Sequence, residues 1–157
     1  MLLVGPAQAA DTKASAQRKG SGLPIPRFAT LKSDEVNVRT GPGSRYPIDW
    51  VFKRKGMPVE IVAEFENFRK IRDWQGASGW VYQGLLTGKR SFIIPSKVAN
   101  LYKTPATSAE VVAKLEPEVM GEIRSCQGDW CRVKVSSVSG WLQRTEIWGV
   151  YKSEPVN

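Results

Sequence analysis

The sequence predicts an all-β protein made of two small β-modules in tandem, and three observations carry that prediction. First, Val36-Asn37-Val38-Arg39-Thr40-Gly41-Pro42 returns 63 positions later as Ala99-Asn100-Leu101-Tyr102-Lys103-Thr104-Pro105. Second, Ser78-Gly79-Trp80-Val81 returns as Ser139-Gly140-Trp141-Leu142 at an offset of 61, so the spacing between the two signals is nearly kept. Repetition at such a period marks a duplicated structural unit. Third, no segment sustains an apolar period of 3.6, whereas short apolar or alternating runs are bounded by Gly, Pro and Asn. Units of about 60 residues sit near the lower limit for independent folding. Six Trp and two Cys supply the dense packing and the staple that such units need.

Taken in order, residues 1–10 read as a signal-peptide remnant, with Ala7-Gln8-Ala9 as a small-x-small cleavage site. Export through a cleaved N-terminal signal predicts a periplasmic or secreted protein. Residues 11–26 are expected to form a disordered linker, polar at first and then stiffened as Leu23-Pro24-Ile25-Pro26. Residues 27–92 form the first expected domain. Strands are predicted within Arg27–Val38, over Tyr46–Phe52 and Val59–Glu64, across a Glu66-Asn67 turn at Phe68–Arg72, and at Trp80–Tyr82. A short helical turn is expected at Gly84–Leu86. Ser91-Phe92-Ile93-Ile94 reads as a docking strand, which predicts close contact between the modules. Residues 93–152 form the second domain.

Charge is unevenly spread. The chain carries net +8, with 12 Lys+Arg against 7 Asp+Glu over residues 27–96 and 8 against 7 over residues 97–157. The first module is thus the basic one, suited to an anionic partner, including an anionic envelope surface. No run of eighteen apolar residues is present, so no transmembrane segment is predicted.

Asn37-Val38-Arg39-x-Gly41-Pro42, an aromatic strand, an apolar hairpin and Gly79-Trp80-Val81 together resemble the bacterial SH3-like domain (SH3b). The likeness covers residues 34–88 closely and 97–150 more loosely. The tandem arrangement is similar to that of exported proteobacterial SH3-domain proteins. The resemblance implies one small, strongly bent β-barrel per repeat. It also implies binding of cell-wall peptide or a protein partner, without catalysis. The second copy departs from the pattern at Tyr102, Thr104 and Ala106, which predicts a mainly structural role for it.

Cys126-Gln-Gly-Asp-Trp-Cys131 is the most informative short motif. Gly128-Asp129 suits a two-residue hairpin turn, which sets Cys126 opposite Cys131 at a separation that a disulfide accepts. Two reduced, buried thiols are the alternative. The same register throws Ile123 and Val133 onto opposite faces, so either a bulge or a longer turn must intervene. Glu64 and Arg69 occupy the corresponding places in the first module, which predicts an ion pair where the second has its disulfide.

The first module also carries aromatics without counterparts in the second, interleaved with arginines. Aromatic platforms beside Arg suit carboxylates, peptide side chains and sugar faces. Arg39, Tyr46, Arg72, Trp74 and Tyr82 are therefore the predicted ligand-binding residues, whereas Trp50 is expected in the core and Trp148 between the modules. The absence of His and of any nucleophile motif leaves no predicted catalytic residue, and no metal site or cofactor is expected. The reading is a non-enzymatic exported module that holds a cell-envelope ligand such as peptidoglycan stem peptide. An adaptor for another periplasmic protein is the alternative. Nucleic-acid binding ranks last, because it rests on charge alone.

Overall fold

The computed structural model describes residues 20–157. The expected signal remnant and residues 11–19 of the expected linker lie outside the described residues. The chain runs β1 Arg27–Leu31, β2 Val36–Arg39, β3 Ile48–Phe52, β4 Pro58–Phe65, β5 Phe68–Arg72 and β6 Ser78–Tyr82. A 3-10 turn, Gln83–Leu85, and β7 Leu86–Thr87 complete module one. Module two repeats the plan as β8 Ser91–Ile93, β9 Ala99–Tyr102, β10 Val111–Leu115, β11 Met120–Gln127, β12 Trp130–Val135 and β13 Val138–Gln143, closed by a 3-10 turn at Arg144–Glu146. The sheets have the orders β3-β2-β6-β5-β4-β1-β7 and β10-β9-β13-β12-β11-β8.

Alternation places the cores. Val36 and Val38 point inward from β2 and Ala99 and Leu101 from β9, all buried, while the residues between them are only partly covered. Gly79 and Gly140 allow β6 and β13 to cross close to β2 and β9, since an added Cβ would collide with Val38 and Leu101 respectively.

The duplication extends to irregularities. Ile61 pairs with Ile71 and Glu64 with Arg69, with a register shift between Ile61 and Ala63. Ile123 pairs with Val133 and Cys126 with Cys131, with a shift between Ile123 and Ser125. Of the two alternatives the bulge is the one present, and it occurs in both modules. It lets the tip of a hairpin and its base both face the core. Cys126 and Cys131 form a disulfide, and at the matching place Arg69 Nε lies 3.5 Å from Glu64 Oε1.

Two boundaries differ from expectation. The strand Ser91–Ile93 hydrogen-bonds to Met120–Glu122, so Ser91 and Phe92 belong with the second sheet rather than ending the first domain at 92. Gly20–Pro26, expected as extended linker, instead form turns and bends seated on module one. Ser21 donates to Glu64 from both its amide (2.7 Å) and its hydroxyl (2.6 Å), and Arg27 joins the same carboxylate at 2.6 Å. Burial opposes ionisation of Glu64, but these hydrogen bonds outweigh it and hold its carboxyl below the usual carboxylate range.

The modules meet across an aromatic seam. The Phe28 ring lies 4.9 Å from Trp148 and 4.5 Å from Tyr151, so Trp148 packs between modules as predicted. The Tyr151 hydroxyl donates to Glu60, which Arg72 also pairs with, while Arg90 grips Glu154 at 2.7 and 2.9 Å. Burial works against the Glu154 charge, yet Arg90 and the Tyr151 amide prevail and keep its carboxyl below the usual range. A depressed folded-state pKa contributes stability above the unfolded value of about 4.3, and loses it as pH falls through the folded value. Wild-type melting temperature should therefore drop more steeply below about pH 4 than that of Glu154→Gln. Equal acid slopes in a thermal-unfolding series would contradict this.

Candidate functional site

Module one opens a groove of about 380 Å³ lined by Asn37, Arg39, Ser44, Asn67, Phe68, Tyr82 and Leu85. Strand β2 delivers Asn37 and Arg39 from its outward-facing positions, the opposite face from Val36 and Val38. The tight turn of the β4–β5 hairpin supplies Asn67 and, just after it, Phe68. Tyr82 ends β6 opposite Phe68 in register, and the two rings meet edge to face at 6.0 Å. The 3-10 turn that follows contributes Leu85. The result is a polar edge of two amides facing an aromatic and aliphatic wall.

Arg39 supplies the charge. Its Nη1 donates to the carbonyls of Ser44 (3.0 Å) and Tyr46 (2.9 Å), which fixes the guanidinium at the groove. Among the described residues no carboxylate lies within ion-pair distance of it. A positioned guanidinium without a neutralising partner suits a carboxylate or phosphate, and strongly so where apolar walls exclude water.

Of the five predicted residues, Arg39 and Tyr82 line this groove. Tyr46 stands behind it: its carbonyl holds Arg39, and its ring packs on Gly41, where any Cβ would clash. Arg45 lies over that ring at 5.7 Å. Arg72 and Trp74 are placed elsewhere. Register puts Arg72 opposite Glu60 in the ion pair at the seam, and Trp74 packs against the module-one core. Asn37, Asn67 and Phe68 were missed. The repeat contained a signal for Asn37, since Asn100 matches it, but polar turn residues such as Asn67 carry none.

Module two shows how the groove is lost. Trp80 pairs with Arg39 and Trp141 with Tyr102, so Tyr102 stands where Arg39 does. Tyr102 is buried and meets Trp130 edge to face at 5.7 Å. The turn exchanges bulk in compensation: Gly41 beside Tyr46 becomes Thr104 with Ala109, within the same hydrogen-bond pattern. Leu85 is replaced by Glu146, whose carboxyl burial pushes above the usual range, partly offset by the Asn100 amide.

A family model described as "Bacterial SH3 domain" matches residues 32–88 and again 96–149. A Bacillus subtilis (strain 168) protein described as "Putative N-acetylmuramoyl-L-alanine amidase YrvJ" is 27% identical over 125 residues, covering 73% of this chain and 24% of that protein. The solved structure of NlpC2 from Trichomonas vaginalis is similar over 80% of this chain and 49% of its own, at 12% identity and TM-score 0.37. An NlpC/P60 family protein from Bacillus cereus ATCC 10987 covers 80% of this chain and 57% of its own, at 15% identity and TM-score 0.35. The chain thus spans about a quarter of the curated relative and about half of these structures. With the doubled strand order, the matched bulges and a family match over more than half of its length, the protein belongs to the bacterial SH3 domain family and carries that domain twice.

Proposed function

We propose that the protein is a non-catalytic binding module of the cell envelope, and that module one holds a carboxylate-bearing peptide of the peptidoglycan stem-peptide class. The observation that carries this reading is the unneutralised Arg39 guanidinium, fixed by two carbonyls beside the Phe68–Tyr82 wall. Its support is family membership, together with a relative named for an amidase of the N-acetylmuramoyl-L-alanine linkage. Arg39 takes the carboxylate, Asn37 and Asn67 take peptide amides, and Phe68, Tyr82 and Leu85 cover the apolar flank.

Co-sedimentation of the purified protein with insoluble peptidoglycan tests this. Removing a charge-assisted hydrogen bond costs roughly 1.5–3 kcal/mol, so Arg39→Ala should weaken binding by a factor of about 10–100. Tyr82→Ala, on a half-exposed wall residue, should weaken it by less while leaving the fold intact. Trp74→Ala should alter stability more than affinity. Unchanged recovery with Arg39→Ala would overturn the site.

A further inference from the structure

The last residues of the chain lie in a groove along β11. The Cys126 amide donates to the Val156 carbonyl at 2.7 Å, and the Val156 amide returns a bond to Cys126 at 3.2 Å. Arg144 donates to the carbonyls of Tyr151 (2.8 Å) and Glu154 (2.5 Å), and Arg90 grips the Glu154 carboxylate with both Nη atoms. Module two thus receives its own tail, which turns at Lys152–Ser153 and presents the Glu154 carboxylate, with three devices: the Cys126 end of the long strand, the first residue of the 3-10 turn, and the Arg at the foot of its first strand.

Module one has all three positions. Arg27 stands opposite Ile61, just as the Arg90 carbonyl accepts from Ile123. The Gln83 amide bonds to Asn67 as the Arg144 amide bonds to Asp129. Ser21 covers only the end of β4, at Glu64. Beyond it lies a cleft of about 590 Å³ whose lining includes Arg27, Arg69, Gln83, Leu86 and Leu23 and, from the seam, the Arg90–Glu154 ion pair. None of its lining residues belongs to the groove of Arg39.

Charge identifies the occupant. Arg90 and Glu154, which also line the cleft, neutralise each other, whereas Arg27 and Arg69 share one carboxylate, that of Glu64, which leaves one surplus positive charge. Arg69 is buried and its Nη atoms are consumed by Glu66, Phe68 and Gln83. Arg27 is one fifth exposed, and only its Nη1 is engaged among the described residues. Leu23, at 58% exposure, adds an apolar rim. We propose that this cleft docks a carboxylate-bearing peptide segment of a partner protein, with the carboxylate on Arg27 and an apolar neighbour against Leu23 and Leu86, as module two holds its own Glu154-Pro155-Val156.

The probe is an N-acetylated peptide, Tyr-Lys-Ser-Glu-Pro-Val-Asn, titrated into the full isotope-labelled chain and followed by amide chemical shifts. Saturable shifts are expected at Ala29, Ile61, Gln83 and Thr87. A probe with glutamine for its glutamate, and the exposed-site variant Leu23→Glu, should each bind about tenfold more weakly. Absence of saturable shifts, equal affinity of the glutamine probe, or shifts confined to Ser125–Gln127 (the probe exchanging with the chain's own tail) would each overturn the proposal. Peptidoglycan recovery by Leu23→Glu should match wild type, so failure here is distinguishable from failure of the Arg39 site.

Discussion

Phe92→Ala is expected to destabilise the protein by about 3–5 kcal/mol, the usual range for deleting a buried aromatic ring. Phe92 has no exposed surface and belongs to the module-two core. It faces Gly121 in register, and the ring lies so close that a Cβ on Gly121 would stand 2.7 Å from it. Neither neighbour can move in: Gly121 has no side chain, and its strand is held on its other side by β12. The vacated volume therefore stays largely empty, and cavity cost adds to transfer cost. Urea denaturation measures the loss. Phe68→Ala provides the contrast, because Phe68 is only half-buried on the groove wall and should cost far less. A loss below about 1.5 kcal/mol for Phe92→Ala would show that the core relaxes.

Loss of the Cys126–Cys131 disulfide is expected to be the next largest effect. In the chain-entropy model a loop this short is worth about 2 kcal/mol, which for a chain of this size lowers the melting temperature by roughly 4–8 °C. The double variant Cys126→Ala, Cys131→Ala isolates this in a calorimetric scan, and addition of reductant to the wild type should reproduce it. Both cysteines are fully buried against Val156, so the loss should also loosen the C-terminal tail. Hydrogen exchange at the Val156 and Cys126 amides should speed up with the variant. Unaltered melting would mean that packing alone holds the hairpin.

The local plan of each module was legible because its causes are local. Alternation in Val36-Asn37-Val38 sets which face is buried. Gly128-Asp129 sets a two-residue turn, and the turn then sets Cys126 against Cys131 and Glu64 against Arg69 one repeat earlier. Even an irregularity followed, a bulge or a longer turn, since a regular strand cannot present both Cys126 and Ile123 to one core; the structure uses the bulge.

Site membership was only half legible. Arg39 and Arg72 look alike in sequence, each beside aromatics in the basic module. Among the described residues Arg39 meets two carbonyls and no carboxylate, whereas Arg72 faces Glu60, whose other oxygen accepts from Tyr151 some 91 residues away. Nothing near Arg72 in the chain announces that partner.

From its sequence alone, then, the protein's duplication was determined by the repeat, and its strand faces and the opposition of Cys126 to Cys131 by residues within one or two turns of the chain. Tertiary structure alone decided that Gly20–Pro26 dock through Ser21 on Glu64, that the tail returns to Cys126, and that Arg72 finds a carboxylate where Arg39, among the described residues, does not. The first two of those outcomes depend on how twisted sheets bring groups together across 30 or more positions, and strand twist and packing angle are not written in any short run of residues.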